Sequence, residues 1–569
     1  MLQGKQFLHE LSVNGEKGIM THKILTQSLN PDIKRILFSK ESTMTYDNTS
    51  PAEFSDQQAA FFINRSSMKE RKERGQFFTP LSVARFMAGL SEYGKDVFRV
   101  LDPGGGTGIL SCAACEAAAR EKAVKRLEID LYEIDPELVA FTNESLKFAK
   151  EWLKKQDIEL SYRIIHEDFI LSFQQGLWAR KIARYDLAIA NPPYFKIGKN
   201  DPRAVSAARF VYGQPNIYAL FMGVAAELLE EQGIFVMITP RSFASGPYFR
   251  LFRQRFFDMV SPERVHLFES RKDAFQKDEV LQENIILKAR RGGNNTLIDV
   301  SVSKGVADLH NPVSHRLSLS QVLDPADKGS ILRLPVSNED IEIIDTFEKW
   351  TGSLHRYGLE ISTGPVVPFR AQNLIRDSEI RSNEFVPLIW MQNIQPMRVE
   401  WPCFHQKNGK SKPQFIKAGK EAFKRRLLTE DRNLVLLRRF SAKEQYRRLT
   451  AAPFLKGHVD SDVIGLENHV NYIYKPKGHM NKELTLGLAA LLNSSLFDRY
   501  FRVSNGNTQV SATEIRAMPL PPLEVIHEIG NAAKGLKKNF TLQEMDQLVL
   551  DIIKGGSPLL NVAGGLAGG

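Results

Sequence analysis

Four consecutive residues, Asn191, Pro192, Pro193 and Tyr194, have the types and the spacing to activate an amino group. The nitrogen of a planar amino group is a poor nucleophile, because its lone pair is delocalised into the attached ring. The Asn191 side-chain oxygen and the Pro192 carbonyl could both accept hydrogen bonds from such an NH2 and aim its developing lone pair at an electrophile. Tyr194 could stack on the ring. A proline turn that ends a strand would account for the same four residues.

The element that must position this tetrapeptide is the apolar run at residues 185–190, which immediately precedes it. Its sequence, YDLAIA, predicts a buried parallel strand, and the two prolines end that strand. Asn191 is therefore expected at the carboxyl end of a strand, where open α/β sheets bind their ligands.

A strand, a glycine turn and a helix are predicted upstream, at residues 98–101, 102–108 and 109–122. The turn reads DPGGGTG. Glycines let the backbone approach a ligand closely, and the first turn of a helix offers unpaired N–H groups. The unit predicts a nucleotide-like ligand, and a dinucleotide would suit the turn as well.

The two following strands each end in an acidic residue. Glu133 could accept hydrogen bonds from both hydroxyls of a ribose. Asp168 could accept from the exocyclic amine of an adenine, with Phe169 packed on the ring. Taken singly, both acids suit solvated loops. Because four consecutive strands each bring a polar group to the same sheet edge, the sequence favours a binding site there.

Composition sets broad limits on the class of protein. The 569 residues are enough for two or three domains. With 76 Lys and Arg against 66 Asp and Glu, the formal net charge of +10 favours a polyanionic partner, nucleic acid first. Three cysteines are too few for a disulfide framework, so we expect a cytoplasmic protein. Cys112 and Cys115 suit helix packing, and we expect no metal and no membrane span.

The positive charge is concentrated in residues 397–460, which hold 16 Lys and Arg and 6 Asp and Glu. Aromatic residues are interleaved with this charge, and the combination favours nucleic-acid contact over a solvated face. The segment 195–213 is also basic and is predicted to cover the site as a loop or short helix; a solvated connection fits it equally. The residues predicted to contact DNA are Arg203, Arg209, Arg370, Arg438, Arg439, Lys443, Arg447 and Arg448.

Polar, irregular sequence after residue 300 predicts a domain boundary. The expected organisation is an unassigned N-terminal extension at 1–50, a catalytic domain at 51–300, a linker at 301–345, a second domain at 346–555 and a flexible tail at 556–569.

Taken together, seven short segments resemble, in type and order, the adenine-N6 DNA methyltransferases that use S-adenosylmethionine. Within them the resemblance is to the restriction-modification group whose cofactor motifs precede the catalytic tetrapeptide and whose target-recognition domain comes last. The segments are GQFFTP at 75–80, DPGGGTG at 102–108, YEIDP at 132–136, EDF at 167–169, NPPY at 191–194, NIYALF at 216–221 and GIFVMITPRSF at 233–243. The resemblance covers residues 70–290, the stretch that contains these segments. One departure is the extra glycine, Gly105, where the family more often has a small residue or Cys within the turn.

The resemblance implies an α/β fold, a Rossmann-like seven-stranded sheet with helices on both faces, followed by an α+β domain that recognises the DNA target. It implies that Asn191, Pro192, Pro193 and Tyr194 hold an adenine flipped out of double-stranded DNA. It implies no metal and allows a separate restriction endonuclease as partner. The residues expected to bind S-adenosylmethionine are Gln76, Thr79, Asp102, Gly104, Gly106, Glu133, Ile134, Asp168, Phe169 and Asn191.

Other functions remain open on the sequence. The same tetrapeptide serves enzymes that methylate RNA adenine and enzymes that methylate a protein glutamine, because both acceptors are planar nitrogens. The long basic C-terminal half argues against a small protein substrate. A DNA-binding specificity subunit without activity is a further alternative, and the intact Asn191, Tyr194 and Asp102 argue against it.

Overall fold

The structure is a computed structural model that describes residues 48–65, 75–173, 184–269, 283–323, 329–376, 384–403, 412–441, 445–504, 509–535 and 540–555. Nearly all of the N-terminal extension, the whole predicted tail and Lys443 lie outside these residues. The chain divides into two compact units. The first contains residues up to 243, 248–319 and 325–330, and the second contains the remainder.

Within the described residues, the first unit is built on a nine-stranded sheet of order β3-β2-β1-β4-β5-β7-β6-β8-β9. Strands β1 to β5 are parallel to their neighbours, whereas β7 runs antiparallel to both β5 and β6. The strands are β1 (Val97–Asp102), β2 (Arg126–Tyr132), β3 (Glu159–Ile165), β4 (Tyr185–Ala190), β5 (Leu229–Pro240), β6 (Val260–Phe268), β7 (Asn284–Arg291), β8 (Leu297–Ser303) and β9 (Val313–Ser318).

The sheet has two strands more than the predicted seven. Strand β8 pairs parallel with β6, and β9 pairs antiparallel with β8. In β8, Ile298, Val300 and Val302 are buried and alternate in the sequence with polar residues, which is the period-two pattern of a strand; Ser301 and Ser303 on its other face are buried too. The segment 301–345, expected to be an irregular linker, therefore continues the sheet of the first unit as far as residue 318.

Helices cover the sheet, as the α/β pattern predicts. Helix α3 is made of small residues and is buried along most of its length, with Cys112 and Cys115 in its packed face. Asp135 caps α4 by accepting from the backbone N–H of Glu137. The described helices of this unit are α1 (Pro51–Arg65), α2 (Leu81–Ala88), α3 (Ile109–Glu121), α4 (Pro136–Lys154), α5 (Phe169–Ser172), α6 (Pro202–Ser206), α7 (Ile217–Leu228) and α8 (Arg250–Met259).

The second unit combines small sheets with a group of helices, which agrees with the predicted α+β class. Its sheets have the orders β10-β20-β17-β18, β11-β15-β12-β19-β16 and β13-β14. These strands are β10 (Glu360–Thr363), β11 (Ile375–Arg376), β12 (Phe385–Ile389), β13 (Ile394–Gln395), β14 (Arg398–Val399), β15 (Phe415–Lys417), β16 (Leu428–Glu430), β17 (Leu434–Arg438), β18 (Ala451–Phe454), β19 (Val463–Leu466) and β20 (Val470–Tyr474).

The largest apolar core of the second unit forms where its C-terminal helices pack on the first of these sheets; it includes Leu437, Ile473, Leu488 and Phe497. None of the helices in the described part of the chain is long and apolar enough to cross a membrane. The helices are α9 (Leu319–Val322), α10 (Asn338–Glu348), α11 (Lys420–Lys424), α12 (Lys482–Asn493), α13 (Ser495–Ser504), α14 (Ala512–Ala517), α15 (Leu523–Lys534) and α16 (Leu542–Gly555).

Candidate functional site

The carboxyl ends of β1, β2, β3 and β4 meet at one edge of the first sheet, because the four strands are parallel neighbours. Strand β4 is buried along its whole length and ends directly before Asn191. A backbone hydrogen bond holds the chain after β2 beside β3. In it, the Glu133 N–H donates to the Ile165 carbonyl at 3.1 Å. The sheet edge thus brings together the polar groups that the sequence placed there.

A cavity of about 520 Å³ opens at this edge. Predicted residues that line it are Gln76, Gly104, Gly106, Glu133, Ile134, Asp168, Phe169, Asn191 and Pro193. Residues that the sequence reasoning did not single out also line it, among them Phe77, Phe78, Tyr132, Asp135, Phe195, Ile217 and Phe221. Most of these lie inside the quoted segments GQFFTP, YEIDP and NIYALF, so the segments themselves were the signal for them.

Glu133 lies in the wall of the cavity with both carboxylate oxygens oriented by backbone. Its Oε2 accepts from the Gly106 N–H at 2.9 Å and its Oε1 accepts from the Asp135 N–H at 2.9 Å. Burial raises the pKa of Glu133 to about 7, and the backbone donors lower it only in part. Each oxygen keeps a second lone pair, so the group can accept further hydrogen bonds from a pair of hydroxyls.

Asp168 turns one carboxylate oxygen to the backbone and the other toward Arg203. Its Oδ1 caps helix α5 by accepting from the N–H groups of Ile170 and Leu171, at 2.9 and 3.1 Å. Its Oδ2 lies 3.9 Å from the Arg203 guanidinium. Arg203 also lines the cavity and is bonded to Asp201 at 2.7 Å. The predicted DNA contact Arg203 therefore belongs to the surroundings of the cavity.

The glycine turn between β1 and α3 is tightly fitted. Gly106 has φ of +57°, a conformation that side chains disfavour. A Cβ on Gly105 would come within 2.2 Å of the Leu131 side chain. The extra glycine, Gly105, is thus required by its packing against Leu131.

Asp102 is fully buried and is not part of the cavity lining. Its Oδ2 accepts from the Ser111 hydroxyl at 2.8 Å, so it ties the end of β1 to the first turn of α3. Burial raises the pKa of Asp102 to about 6. The structure thus shows Asp102 holding the glycine turn, and a direct contact with the cofactor stays a prediction.

The side-chain amide of Asn191 is fixed in one orientation. Its Nδ2 donates to the Phe77 carbonyl at 2.9 Å and to the Thr79 hydroxyl at 3.1 Å. Because a carbonyl can only accept, the nitrogen must face Phe77, and Oδ1 is the acceptor on the other side of the amide. The Tyr194 hydroxyl donates to that Oδ1 at 2.5 Å and lies 3.1 Å from the Ile238 carbonyl.

Thr79 and Tyr194 were predicted to contact the cofactor and the target ring, and in the structure both side chains contact other residues of the protein. Thr79 is 5% exposed and lines a separate cavity of about 1090 Å³, so its hydroxyl serves Asn191. Tyr194 is 8% exposed, its ring is stacked with Phe77 at 5.6 Å between centroids, and burial raises its pKa. Stacking of Tyr194 on a target ring would require this packing to open. Phe195 is the neighbouring aromatic residue that lines the cavity of about 520 Å³ at the sheet edge.

The predicted DNA contacts of the second unit are largely committed to the protein itself. Arg448 is 2% exposed and its Nε donates to Ser441 at 2.9 Å, so the prediction that it lies along a DNA backbone is wrong. Density of charge along the sequence did not reveal that this residue faces the core. Arg447 is paired with Asp546 at 2.8 Å.

Of the remaining arginines predicted to contact DNA, Arg209, Arg438 and Arg439 are bound by other residues of the protein, and Arg370 is exposed. Arg438 donates to the Ile394 carbonyl at 2.7 Å, and Arg439 donates to the Asn468 carbonyl at 2.9 Å. In the first unit, Arg209 is paired with Glu227. Arg370 is exposed. Among the residues that the structure describes, no group of three or more His, Cys, Asp or Glu could hold a metal ion.

Comparison with known proteins adds a family to this geometry. A family model described as Eco57I restriction-modification methylase matches residues 113–275. The Type II methyltransferase M.BsuBI of Bacillus subtilis is 35% identical over 471 residues, which cover 81% of this chain and 90% of that protein. The Type II methyltransferase M.PstI of Providencia stuartii is 32% identical over 462 residues, which cover 81% of this chain and 89% of that protein.

Proposed function

The chain belongs to the Type II methyltransferases of restriction-modification systems, and we propose that it transfers a methyl group from S-adenosylmethionine to N6 of an adenine in double-stranded DNA. The observation that carries the proposal is the fixed amide of Asn191 at the edge of the cavity. In this proposal the protein is the modification part of a restriction-modification system, works in the cytoplasm and has a separate restriction endonuclease as its counterpart.

The residues around the cavity fit S-adenosylmethionine by their chemistry. Glu133 would accept from the ribose hydroxyls, and Asp168 would accept from the adenine amine through its second oxygen. Phe169 and the exposed Ile134 would enclose the adenine ring, and the backbone at Gly106 allows close approach to the rest of the molecule. When bound, S-adenosylmethionine supplies a methyl group on a positively charged sulfur.

The part played by Asn191 follows from its fixed orientation. Its Oδ1 and the carbonyl of Pro192 would accept the two N–H bonds of the target amino group. These contacts draw the nitrogen out of conjugation with its ring and direct the lone pair toward the methyl donor. Because Nδ2 is already held by Phe77 and Thr79, the amide is ordered before the substrate arrives, which is the condition for catalysis by positioning. No covalent intermediate with the protein is required.

The target adenine must leave the double helix to reach Asn191, because the amino group is paired inside the duplex. The aromatic residues around the tetrapeptide supply flat surfaces for an extruded base, with Phe195 lining the cavity and Phe77 packed on Tyr194. Base flipping is therefore part of the proposed reaction.

One assay tests the proposal against its alternatives. Protein supplied with S-adenosylmethionine carrying a labelled methyl group is incubated in parallel with mixed-sequence duplex DNA, RNA and a protein extract. The expected result is label in the DNA, recovered as N6-methyladenine after digestion, and none with Asn191→Ala. Label in cytosine, RNA or protein glutamine would refute the assigned acceptor.

A further inference from the structure

One part of the second unit has exposed positive charges and exposed aromatic side chains next to each other. It consists of Phe369, Arg370 and residues 420–426, and we refer to it as the Phe369 surface. Phe369 is 70% exposed, and Phe423 is 55% exposed. A single exposed aromatic residue is common, but two of them on one small surface form an apolar patch, which is a mark of an interaction site.

The two segments of this surface are joined by direct contacts. The Arg425 guanidinium donates to the carbonyl of Arg370 at 2.8 Å and to the Glu421 carboxylate at 3.0 Å. Asn373 approaches the same carboxylate at 3.4 Å. Behind them, Ala371 and Ala422 are buried in a shared apolar core. The surface is therefore one continuous feature mounted on a packed base.

Four of the five cations of this surface are unneutralised, in contrast to Arg447, which is paired with Asp546. Within the described part of the chain, no carboxylate pairs with Arg370, Lys420, Lys424 or Arg426, and all four are exposed. Glu421 is the acidic residue of the surface and is already bound by Arg425. The Arg370 guanidinium lies 5.3 Å from the centre of the Phe369 ring, so charge and aromatic face are presented side by side.

We propose that the Phe369 surface is where the second unit contacts duplex DNA, an inference that rests on the proposed function. Arg370, Lys420, Lys424 and Arg426 bind backbone phosphates, which the surplus of positive charge favours. Phe369 packs against a base step in the groove between those phosphate contacts, as exposed apolar side chains do in proteins that deform DNA. Of the residues predicted from the sequence to contact DNA, Arg370 belongs to this surface, and Lys420, Lys424 and Arg426 were not among them.

The proposal is tested by the salt dependence of binding to a fluorescein-labelled, mixed-sequence duplex, measured by anisotropy with the full chain. The combined variant Arg370→Gln, Lys424→Gln should reduce the salt slope by about two units, one for each lost phosphate contact. Phe369→Ala should weaken binding about tenfold with the slope unchanged, because it removes a neutral contact. Lys477→Gln, an exposed lysine of the same unit outside this surface, is the matched control.

The outcomes separate this inference from the proposed function. Unaltered binding by both surface variants, with a wild type that binds and methylates duplex DNA, would place the DNA elsewhere and leave the proposed function standing. A fall in slope with Lys477→Gln as large as that for each surface cation would also overturn the assignment. Failure of the wild type to bind or methylate duplex DNA would refute the proposed function and this surface with it. Binding of S-adenosylmethionine by calorimetry and the thermal melting curve establish that each variant is folded.

Discussion

At the carboxyl edge of the first sheet, charged side chains are turned toward a cavity, whereas the side chains of Arg438, Arg439, Arg447 and Arg448 are bound by the protein itself. Glu133 and Asp168 line the cavity, and backbone N–H groups orient their carboxylates there. Arg438 donates to a backbone carbonyl, and Arg448 is buried. The difference teaches that a charged side chain can contribute to binding only where other groups of the protein do not already occupy its hydrogen-bonding atoms. The predictions below test each side of that contrast.

The largest effect is expected for Asn191→Ala. Removing an acceptor that acts on the reacting nitrogen should lower kcat by about 10²- to 10³-fold, by analogy with the loss of one oxyanion-hole donor. Affinity for S-adenosylmethionine, measured by calorimetry, should stay near that of wild type. A variant that keeps a tenth or more of the wild-type kcat would show that the amide does not activate the target.

Arg448→Ala should act on stability. The side chain is buried and bonded to Ser441, so its loss should lower the free energy of unfolding by about 3 kcal/mol. At a temperature where the variant is folded, the salt slope of DNA binding should equal that of wild type. Urea denaturation measures the first quantity and anisotropy the second. A normal unfolding curve with a reduced slope would return Arg448 to the DNA interface.

Glu133→Gln should weaken binding of S-adenosylmethionine by more than tenfold, because each lost charge-assisted hydrogen bond costs about 1.5–3 kcal/mol. Glu144→Gln, on the neighbouring helix α4 and outside the cavity lining, is the matched control. Calorimetry that gives equal affinities for the two variants would remove Glu133 from the cofactor site.

Thr79→Val should lower kcat about fivefold, the effect of losing one of the two acceptors that hold the Asn191 amide. Thr79→Ser keeps the hydroxyl and should restore most of the rate. The affinity for cofactor should be unaffected in both variants. If Thr79→Val instead weakens cofactor binding and leaves kcat intact, Thr79 contacts the cofactor, as the family resemblance implied.

The smallest effect is a pH dependence of stability in the absence of cofactor. The pKa of Glu133 is raised from 4.5 to about 7, so the folded state binds this proton more tightly than the unfolded state does. The free energy of unfolding should therefore fall as pH rises through that window. Glu133→Gln should flatten the fall, and Asp102, with a pKa of about 6, should retain part of it. Urea titrations across the window measure both; a steeper fall in the variant would contradict the assignment.

The binding edge could be predicted because the order of motifs and the topology of parallel strands constrain each other. Once β1 to β4 are parallel neighbours, the residues after them must meet, and Glu133, Asp168 and Asn191 do line one cavity. The direction of an individual side chain follows from packing that spacing does not encode. Thr79 faces Asn191 because of how the segment before α2 passes β4, and the sequence holds no sign of that contact.

The contacts of side chains in the second unit were harder to predict from the sequence for the same reason. Counting charges cannot separate Arg448 from Arg370, because the two differ only in what surrounds them after folding. The strands β8 and β9 were missed because turn-forming residues near them outweighed a weak alternation. Only Leu317 is buried in β9, so that strand has almost no apolar signal to detect.

The close fit of Gly105 against Leu131 limits how this sequence can drift. A methyl group at position 105 has no room while Leu131 keeps its size, since the two would approach to 2.2 Å. Alanine at 105 becomes acceptable only in a background where residue 131 is already small, so a change at 131 should precede a change at 105. Among related chains, substitutions at the turn and at the end of the second strand should then be correlated, and side-chain volume would fix their order.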